Sequence, residues 1–305
     1  MRVAGIDCGT NSIRLLVADS GQSGLVDVHR EMRVVRLGEG VDRTHRLAAE
    51  AIDRTRRALA DYETIIQKTG ASRVRMVATS ASRDAENAEE FRAMVRSILG
   101  TDPEVISGAD EASLSFTGAV VGLPGVADPL LVADIGGGST EVVIGSPASQ
   151  TVIASHSMDI GCVRMTERHL RSERPTAAQI AATVIDIQAA LADAARDVPL
   201  AKAAAFVGVA GTVTTIAAIV LGLVEYEPAV IHGSVISYAQ VAQTTERLLA
   251  MSHDERVAIP VMHPGRADVI GGGALVLRTV MEFVGASSVI ASEHDILDGI
   301  ALSLL

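Results

Sequence analysis

The chain has 305 residues, 48% of them hydrophobic and 21% charged, enough for two domains of ordinary size with a substantial core. A formal net charge of −11, with no Trp, three Tyr and four Phe, argues against a general nucleic-acid surface, which needs cationic charge and rings to stack bases on. Two distant cysteines, Cys8 and Cys162, make neither a disulfide framework nor a metal spacing, and no apolar run is long enough to cross a bilayer, so a reduced cytoplasmic protein without leader or membrane segment is the expectation.

The first stretch with chemical content is DCGTNSIR, residues 7–14. Apolar, β-forming runs flank it (VAGI before, IRLLVAD after), and Gly9, Thr10 and Asn11 supply turn residues, so it reads as strand, tight turn, strand. Cys8 and Arg14 have the C-x5-R spacing of a cysteine-phosphatase loop. That loop must run into a helix whose N-terminus lowers the thiol pKa, and here a strand is expected instead. Cys8 is therefore read as a small packed residue.

A helix is expected over 45–69, with Leu47, Ala51, Leu59, Tyr62 and Ile66 on one face and Gly70 ending it. RVRMVATSA (73–81) reads as a strand entering a polar turn, 85–99 as a helix, and Asp110 to Val121 as another. Asp110 and Glu111 open that helix, where acidic side chains serve equally as caps or as a catalytic base.

Then the opening plan returns. LLVAD-IGGGS-TEVVIG overlays the first hairpin, matching Asp7 to Asp134, Gly9 to Gly136 and Ser12 to Ser139. Shared Asp, Gly and Ser in one frame favour duplication over two unrelated hairpins. Glycine-rich turns leave backbone N–H groups pointing into an open loop, a cradle for phosphate oxygens, and here Gly136, Gly137 and Gly138 are followed by the donors Ser139 and Thr140. The copies differ at Arg14, which lies in the first where Glu141 lies in the second: one loop ends cationic, the other anionic. Asp134 and Glu141 suit Mg²⁺ when phosphates supply the remaining charge; the alternative is that Glu141 projects into solvent.

The second half repeats the α/β theme: a helix over 176–196, a strand AAAFVGVAG leading into a helix from Thr212, a helix starting near Ala267, the strand SSVIAS and a last short helix DILDGIALSLL. With only two lysines, Lys68 and Lys202, any cationic phosphate site must be built of arginine, whose planar fork makes bidentate hydrogen bonds. Neither lysine belongs to a Walker loop, and the eight histidines show no metal spacing.

These motifs resemble the Ppx/GppA phosphatases, the exopolyphosphatases and guanosine pentaphosphate phosphohydrolases of the actin, heat-shock ATPase and sugar kinase superfamily. The resemblance covers nearly the whole chain through DCGTNSIR, ATSASRDAEN, SGADEA, DIGGGSTE, GCVRMTE, GVAGTVTT, PGRADVIGGGA and SEHDILDGI, and the last is similar to the short actinobacterial members. It implies an α/β fold of two duplicated ribonuclease-H-like domains with an interdomain cleft: 1–124, joined by the last helix from about 294, and 125–293.

The resemblance also implies site roles. Glu111 is the water-activating base, Asp134 and Glu141 hold the divalent metal, Mg²⁺ or Mn²⁺, and Asp7, Gly9, Thr10, Asn11, Ser12 and Arg83 line the phosphate site. Gly211 and Thr212 fall where the superfamily's adenosine loop lies. Arg14 joins the phosphate contacts or supports the loop. The expected reaction is hydrolysis of the terminal phosphoanhydride of polyphosphate, short chains above all, in a homodimer that binds neither nucleic acid nor membrane. The alternatives are a pppGpp phosphohydrolase, a kinase of the same superfamily, or a non-catalytic phosphate or nucleotide sensor.

Overall fold

The computed structural model describes residues 1–21, 24–123 and 125–305. Two compact units divide the chain: Met1–Val121 with Asp295–Leu305, and Gly122–His294.

The first unit is built on strands β1 (Arg2–Cys8), β2 (Ser12–Gly21), β3 (Gly24–Val34), β4 (Arg73–Ala78) and β5 (Glu104–Val105), in the sheet order β3-β2-β1-β4-β5. β1 pairs antiparallel with β2 and parallel with β4. Its helices are α1 (Val41–Thr44), α2 (Ala49–Thr69), α3 (Ser80–Arg83), α4 (Ala88–Leu99) and α5 (Gly108–Val121).

β1 is central and buried along almost its whole length because both faces of the sheet are covered. Alternation sends Ala4, Ile6 and Cys8 to one core with Ile13, Leu15, Leu59, Tyr62 and Phe91. Val3, Leu16 and Ala18 face the other way, against Leu297 and Ala301 of the last helix. The α2 stripe Ala51, Thr55, Ala58, Leu59, Tyr62 and Ile66 faces the first of these cores, and the Tyr62 hydroxyl donates to Ile13 O at 3.0 Å. Gly70, at φ 71°, ends α2 in the left-handed conformation that glycine adopts without strain.

The second unit begins with β6 (Leu130–Ile135), β7 (Thr140–Ser146), β8 (Thr151–Met158), α6 (Cys162–His169) and α7 (Ala177–Asp197). It continues with β9 (Ala205–Val209), α8 (Ala210–Val220), α9 (Pro228–Ile231), β10 (Val235–Ser237), α10 (Tyr238–Ala250), α11 (His253–Val257), α12 (Ile270–Val284) and β11 (Ser288–Ala291). Its sheet, traced β8-β7-β6-β9-β11-β10, follows the first sheet's path and adds one edge strand. Three antiparallel strands followed by parallel ones, repeated in both units, make this the duplicated ribonuclease-H-like fold. α8 packs Val213, Ile216, Ala217 and Ala218 into the core, and the apolar run continues past it to the exposed Leu221 and Val224; among the described residues no helix is long and apolar enough to cross a membrane. The chain returns to the first unit for α13 (Ile296–Leu302).

Sequence periodicity located the first two strands of each sheet but not the third. β3 is half-exposed and carries Asp27, His29, Arg30, Glu31 and Arg33, which interrupt its apolar alternation. Its register against β2 also shifts between Val17 and Ala18.

Candidate active site

Each unit presents a hairpin turn at the end of its central strand, and the two turns are closed alike. Gly9 N–H donates to Ser12 O at 2.9 Å, and Gly136 N–H to Ser139 O at 3.1 Å. In the first turn the carbonyls of Thr10 and Asn11 accept from Gly38, Val35 and Arg36 N–H at 2.8–3.0 Å. A trans peptide sets the next N–H opposite each carbonyl, so the N–H groups of Asn11 and Ser12 point away from that segment.

The second turn does the same against α6. Gly136 O accepts from Cys162 N–H, Gly137 O from Val163 and Arg164 N–H, and Gly138 O from Arg164 Nε at 2.6 Å. The loop carbonyls thereby satisfy the orphan donors of the helix N-terminus, and the N–H groups of Gly137, Gly138 and Ser139 are turned the other way. The result is a concave set of donors suited to phosphate oxygens. This contact depends on Gly161, where a Cβ would lie 2.4 Å from Gly137 O. Thr140 is fully buried and its hydroxyl donates to Ile160 O at 2.6 Å, holding β7 to the segment before α6.

Directly behind each turn, a charged pair sits side by side on adjacent strands. Asp7 is the register partner of Arg14, and Asp134 that of Glu141. In the first unit Arg14 Nε and Nη2 donate to Asp7 Oδ2 at 2.9 and 2.7 Å, while Nη1 bonds Asp295 Oδ2. Burial pushes the Asp7 carboxyl up against the opposing pull of Arg14. Burial also works to lower the Arg14 pKa, but Asp295 and Asp7 outweigh it and keep the guanidinium firmly charged. The arginine thus lies between two carboxylates in the fold.

In the second unit Asp134 and Glu141 are 6% and 1% exposed, which rules out a Glu141 projecting into solvent. Ser157, the partner of Glu141 on β8, donates its hydroxyl to Glu141 Oε1 at 2.7 Å. Two buried hard carboxylates on one sheet face fit a divalent cation such as Mg²⁺, which takes one or two protein carboxylates and completes its shell with phosphate and water. Among the described residues no group of three or more His, Cys, Asp and Glu is placed to hold a metal ion.

Glu111 lies in the first turn of α5 and is 7% exposed, so it is no surface cap; Asp110, which accepts from the Ser107 hydroxyl at 2.7 Å, holds that position. Arg83 Nη1 donates to Glu111 Oε2 at 2.7 Å and to Ile106 O at 3.0 Å. Burial raises the Glu111 carboxyl to about 6, with Arg83 and a Thr79 hydrogen bond opposing the rise and the charge of Asp7 adding to it. This whole group adjoins the first turn, since Thr79 N–H donates to Cys8 O and the Thr10 and Ser80 hydroxyls lie 2.9 Å apart.

Cys8 points into the opposite face of the sheet, 1% exposed, and burial together with Asp7 drives its thiol far above the usual range. Arg14 follows it on a strand, so the C-x5-R spacing builds no thiolate loop.

Gly211 and Thr212 open α8, which directly follows β9, the strand whose Val209 is the register partner of Asp134. Arg266 Nη1 donates to Gly211 O and Thr215 Oγ1, and its guanidinium occupies the space where a Gly211 Cβ would be. Thr212 packs against Gly273 of α12. Arg164, Arg266, Ser157 and Asp295 were not singled out from sequence, because no spacing distinguishes them among many arginines, serines and acids. Arg164, Arg266 and Asp295 lie within GCVRMTE, PGRADVIGGGA and SEHDILDGI, while Ser157 lies in none of these motifs.

The model of the Ppx/GppA phosphatase family matches residues 16–305. Exopolyphosphatase 2 of Mycobacterium tuberculosis is 51% identical over 316 aligned residues, 99% of this chain and 98% of the relative. A crystal structure of an exopolyphosphatase-like protein superposes with a TM-score of 0.96 at 45% identity, covering 99% of this chain and 97% of that one. The Aquifex aeolicus Ppx/GppA family member gives 0.82 at 30% identity, over 100% of this chain and 97% of that one. With its duplicated hairpin turns and its buried carboxylates, the chain belongs to the Ppx/GppA phosphatase family.

Proposed function

We propose that this protein is an exopolyphosphatase that hydrolyses the terminal phosphoanhydride of inorganic polyphosphate and releases orthophosphate. The observation that carries the reading is Glu111, a buried carboxylate raised to about 6 and braced by Arg83 beside a turn of inward-facing amides, in a chain half identical to a relative named Exopolyphosphatase 2.

In this reading the turn amides of Asn11 and Ser12, and of Gly137, Gly138 and Ser139, bind phosphate oxygens; Gly9 and Gly136 close the turns. Glu111, held through Oε2 by Arg83, accepts the proton of a water at its carboxylate. The water oxygen bonds to the terminal phosphorus as the bridging P–O bond breaks, and the shortened chain leaves with that bridging oxygen. Arg83 and the turn amides stabilise charge on the transferring phosphoryl group. Asp134 and Glu141 would hold Mg²⁺ or Mn²⁺, which when bound neutralises phosphate oxygens. Thr140, Gly211 and Thr212 act through the fold in this scheme, and Asp7 and Arg14 support the first turn.

The reading extends to a cytoplasmic homodimer that prefers short chains. A phosphate-release assay comparing short polyphosphate, long polyphosphate, pppGpp and ATP tests it, with sedimentation for the oligomeric state. Fastest release from short polyphosphate supports the proposal. Release from pppGpp alone transfers the same residues to a nucleotide phosphohydrolase, and no release from any of them overturns it.

A further inference from the structure

The C-terminal helix α13 supplies a charged group to the first unit that the reaction scheme above does not use. Asp7 and Arg14 point to the sheet face that carries α13, because Asp7 shares the parity of Val3 and Gly5, and Arg14 that of Leu16 and Ala18. At Gly5 a Cβ would lie only 3.2 Å from Ile300 Cγ2, so the helix rests on the strand. Its start is pinned as closely to α5, the helix that bears Glu111. A Cβ on Gly118 would fall 1.8 Å from Asp295 O, and one on Gly299 would fall 2.0 Å from Leu114 O.

Asp295 therefore has a fixed place, and its carboxylate has two tasks. Oδ1 caps α13 by accepting Leu297 N–H at 3.0 Å, and Oδ2 accepts from Arg14 Nη1. Arg14 is stretched between Asp295 and Asp7, and all three are largely buried. Two carboxylates and one guanidinium leave the group with one net negative charge. Among the described residues Asp7 Oδ1 is buried without a hydrogen-bond partner. A second pair, Arg30 with Asp298, anchors the same helix from β3 without involving Asp7 or Arg14.

We infer that Asp295 is a positioning residue: through Arg14 it sets the orientation of Asp7 beneath the first turn and the negative potential beside Glu111. The inference rests on the proposed role of Glu111, but its charge effect is measurable without substrate. The charged groups around Glu111 are Arg83 from α3, Asp7 from β1, and, one contact further, Arg14 and Asp295; Asp110 of the same helix is exposed.

The test compares Asp295→Asn, which removes the charge but keeps a capping oxygen, with Arg30→Gln, which breaks the Arg30–Asp298 pair on the same helix and leaves the Asp295, Arg14 and Asp7 charges in place. Carbon-13 NMR titration of the Glu111 carboxyl in the free protein should move down by about half a pH unit in Asp295→Asn, because the triad loses its net charge, and stay in place in Arg30→Gln. With polyphosphate, kcat should fall about tenfold in Asp295→Asn with KM within about twofold. An unmoved Glu111 titration in Asp295→Asn, or an equal shift in Arg30→Gln, overturns the inference. Should Asp295→Asn not fold, Asp295→Ser, a capping hydroxyl without charge, is held to the same two outcomes. A shifted titration in a protein that hydrolyses no polyphosphate would sink the exopolyphosphatase reading and leave the charge coupling standing.

Discussion

Arg14 and Asp7 face each other as register partners, and the guanidinium closes on a single carboxylate oxygen with two hydrogen bonds, 2.9 and 2.7 Å long. The equivalent positions of the second hairpin hold Asp134 and Glu141, two acids in place of an ion pair. One strand geometry thus carries opposite electrostatics: an internally neutralised pair in the first unit, and in the second a concentration of negative charge suited to a cation.

Removing Arg14 should be costly. Arg14→Met leaves Asp7 and Asp295 facing each other in a buried site and should destabilise the protein by about 3–5 kcal/mol, read by urea unfolding at neutral pH. Without the guanidinium the Asp7 carboxyl, already raised by burial, moves further up. The folded state then holds its proton more tightly than the unfolded chain, so part of the lost stability returns as pH falls. A loss below about 1 kcal/mol would mean that the triad is not formed as described.

Glu111 must be ionised to accept a proton. Because burial lifts it from 4.5 to about 6, kcat/KM should rise tenfold per pH unit below about 6 and level off above it. The same shift acts on stability with the opposite sign. The folded state binds the proton more tightly, so a contribution present below 4.5 is lost as pH rises through about 6. Glu111→Gln should lower kcat by about 100-fold or more and erase both dependences, measured by phosphate release and by denaturation across pH 4–8.

The second turn depends on a residue that touches no substrate group in the scheme. Gly161→Ala would push a methyl onto Gly137 O, with backbone rather than a flexible side chain as the obstacle. Loop and helix must separate, and kcat/KM should fall about tenfold or more, because misplaced donors forfeit transition-state stabilisation. Unchanged kinetics in a folded Gly161→Ala protein would show that the turn amides do not bind the transferring phosphoryl group.

Ser157 gives a graded test of the cation site. Ser157→Ala removes the hydrogen bond to Glu141 Oε1, and the Mg²⁺ concentration for half-maximal activity should rise about tenfold, with a larger rise for Asp134→Asn. EDTA should abolish activity in the unaltered protein, and added Mg²⁺ should restore it. Activity that survives EDTA would remove the metal from the scheme.

Cys8→Ala should retain activity, and the native thiol should resist iodoacetamide until unfolding, since it is sealed into the core with Tyr62 and Phe91. Rapid alkylation accompanied by inactivation would reverse that reading.

Much of the fold was legible from local pattern. Strand, turn and strand around Gly9 and again around Gly136 follow from β-forming runs broken by turn residues, and Asp7 and Asp134, overlaid in sequence, hold equivalent places in the two sheets, opposite Arg14 and Glu141. The α2 stripe and its glycine stop were equally plain. β3 was not legible, because half-exposed edge positions tolerate charge, and the start of α12 at Ile270 fell past the expected Ala267 because a 3-10 turn, Pro264–Arg266, comes first.

By itself the sequence determined the duplication, the two turns, the family and the residue types set at each turn, because these depend on spacing along one strand or helix. Only the tertiary structure decided how those residues are held. The burial of Glu141, the Arg83 brace on Glu111, the α6 amides that orient the second turn and the reach of Asp295 to Arg14 all join groups distant in sequence. Asp295 and Arg14 stand 281 residues apart, and no local periodicity encodes which acid a buried guanidinium will find. That choice follows from the sheet face on which Arg14 lies and from the glycine contacts that seat α13 against it.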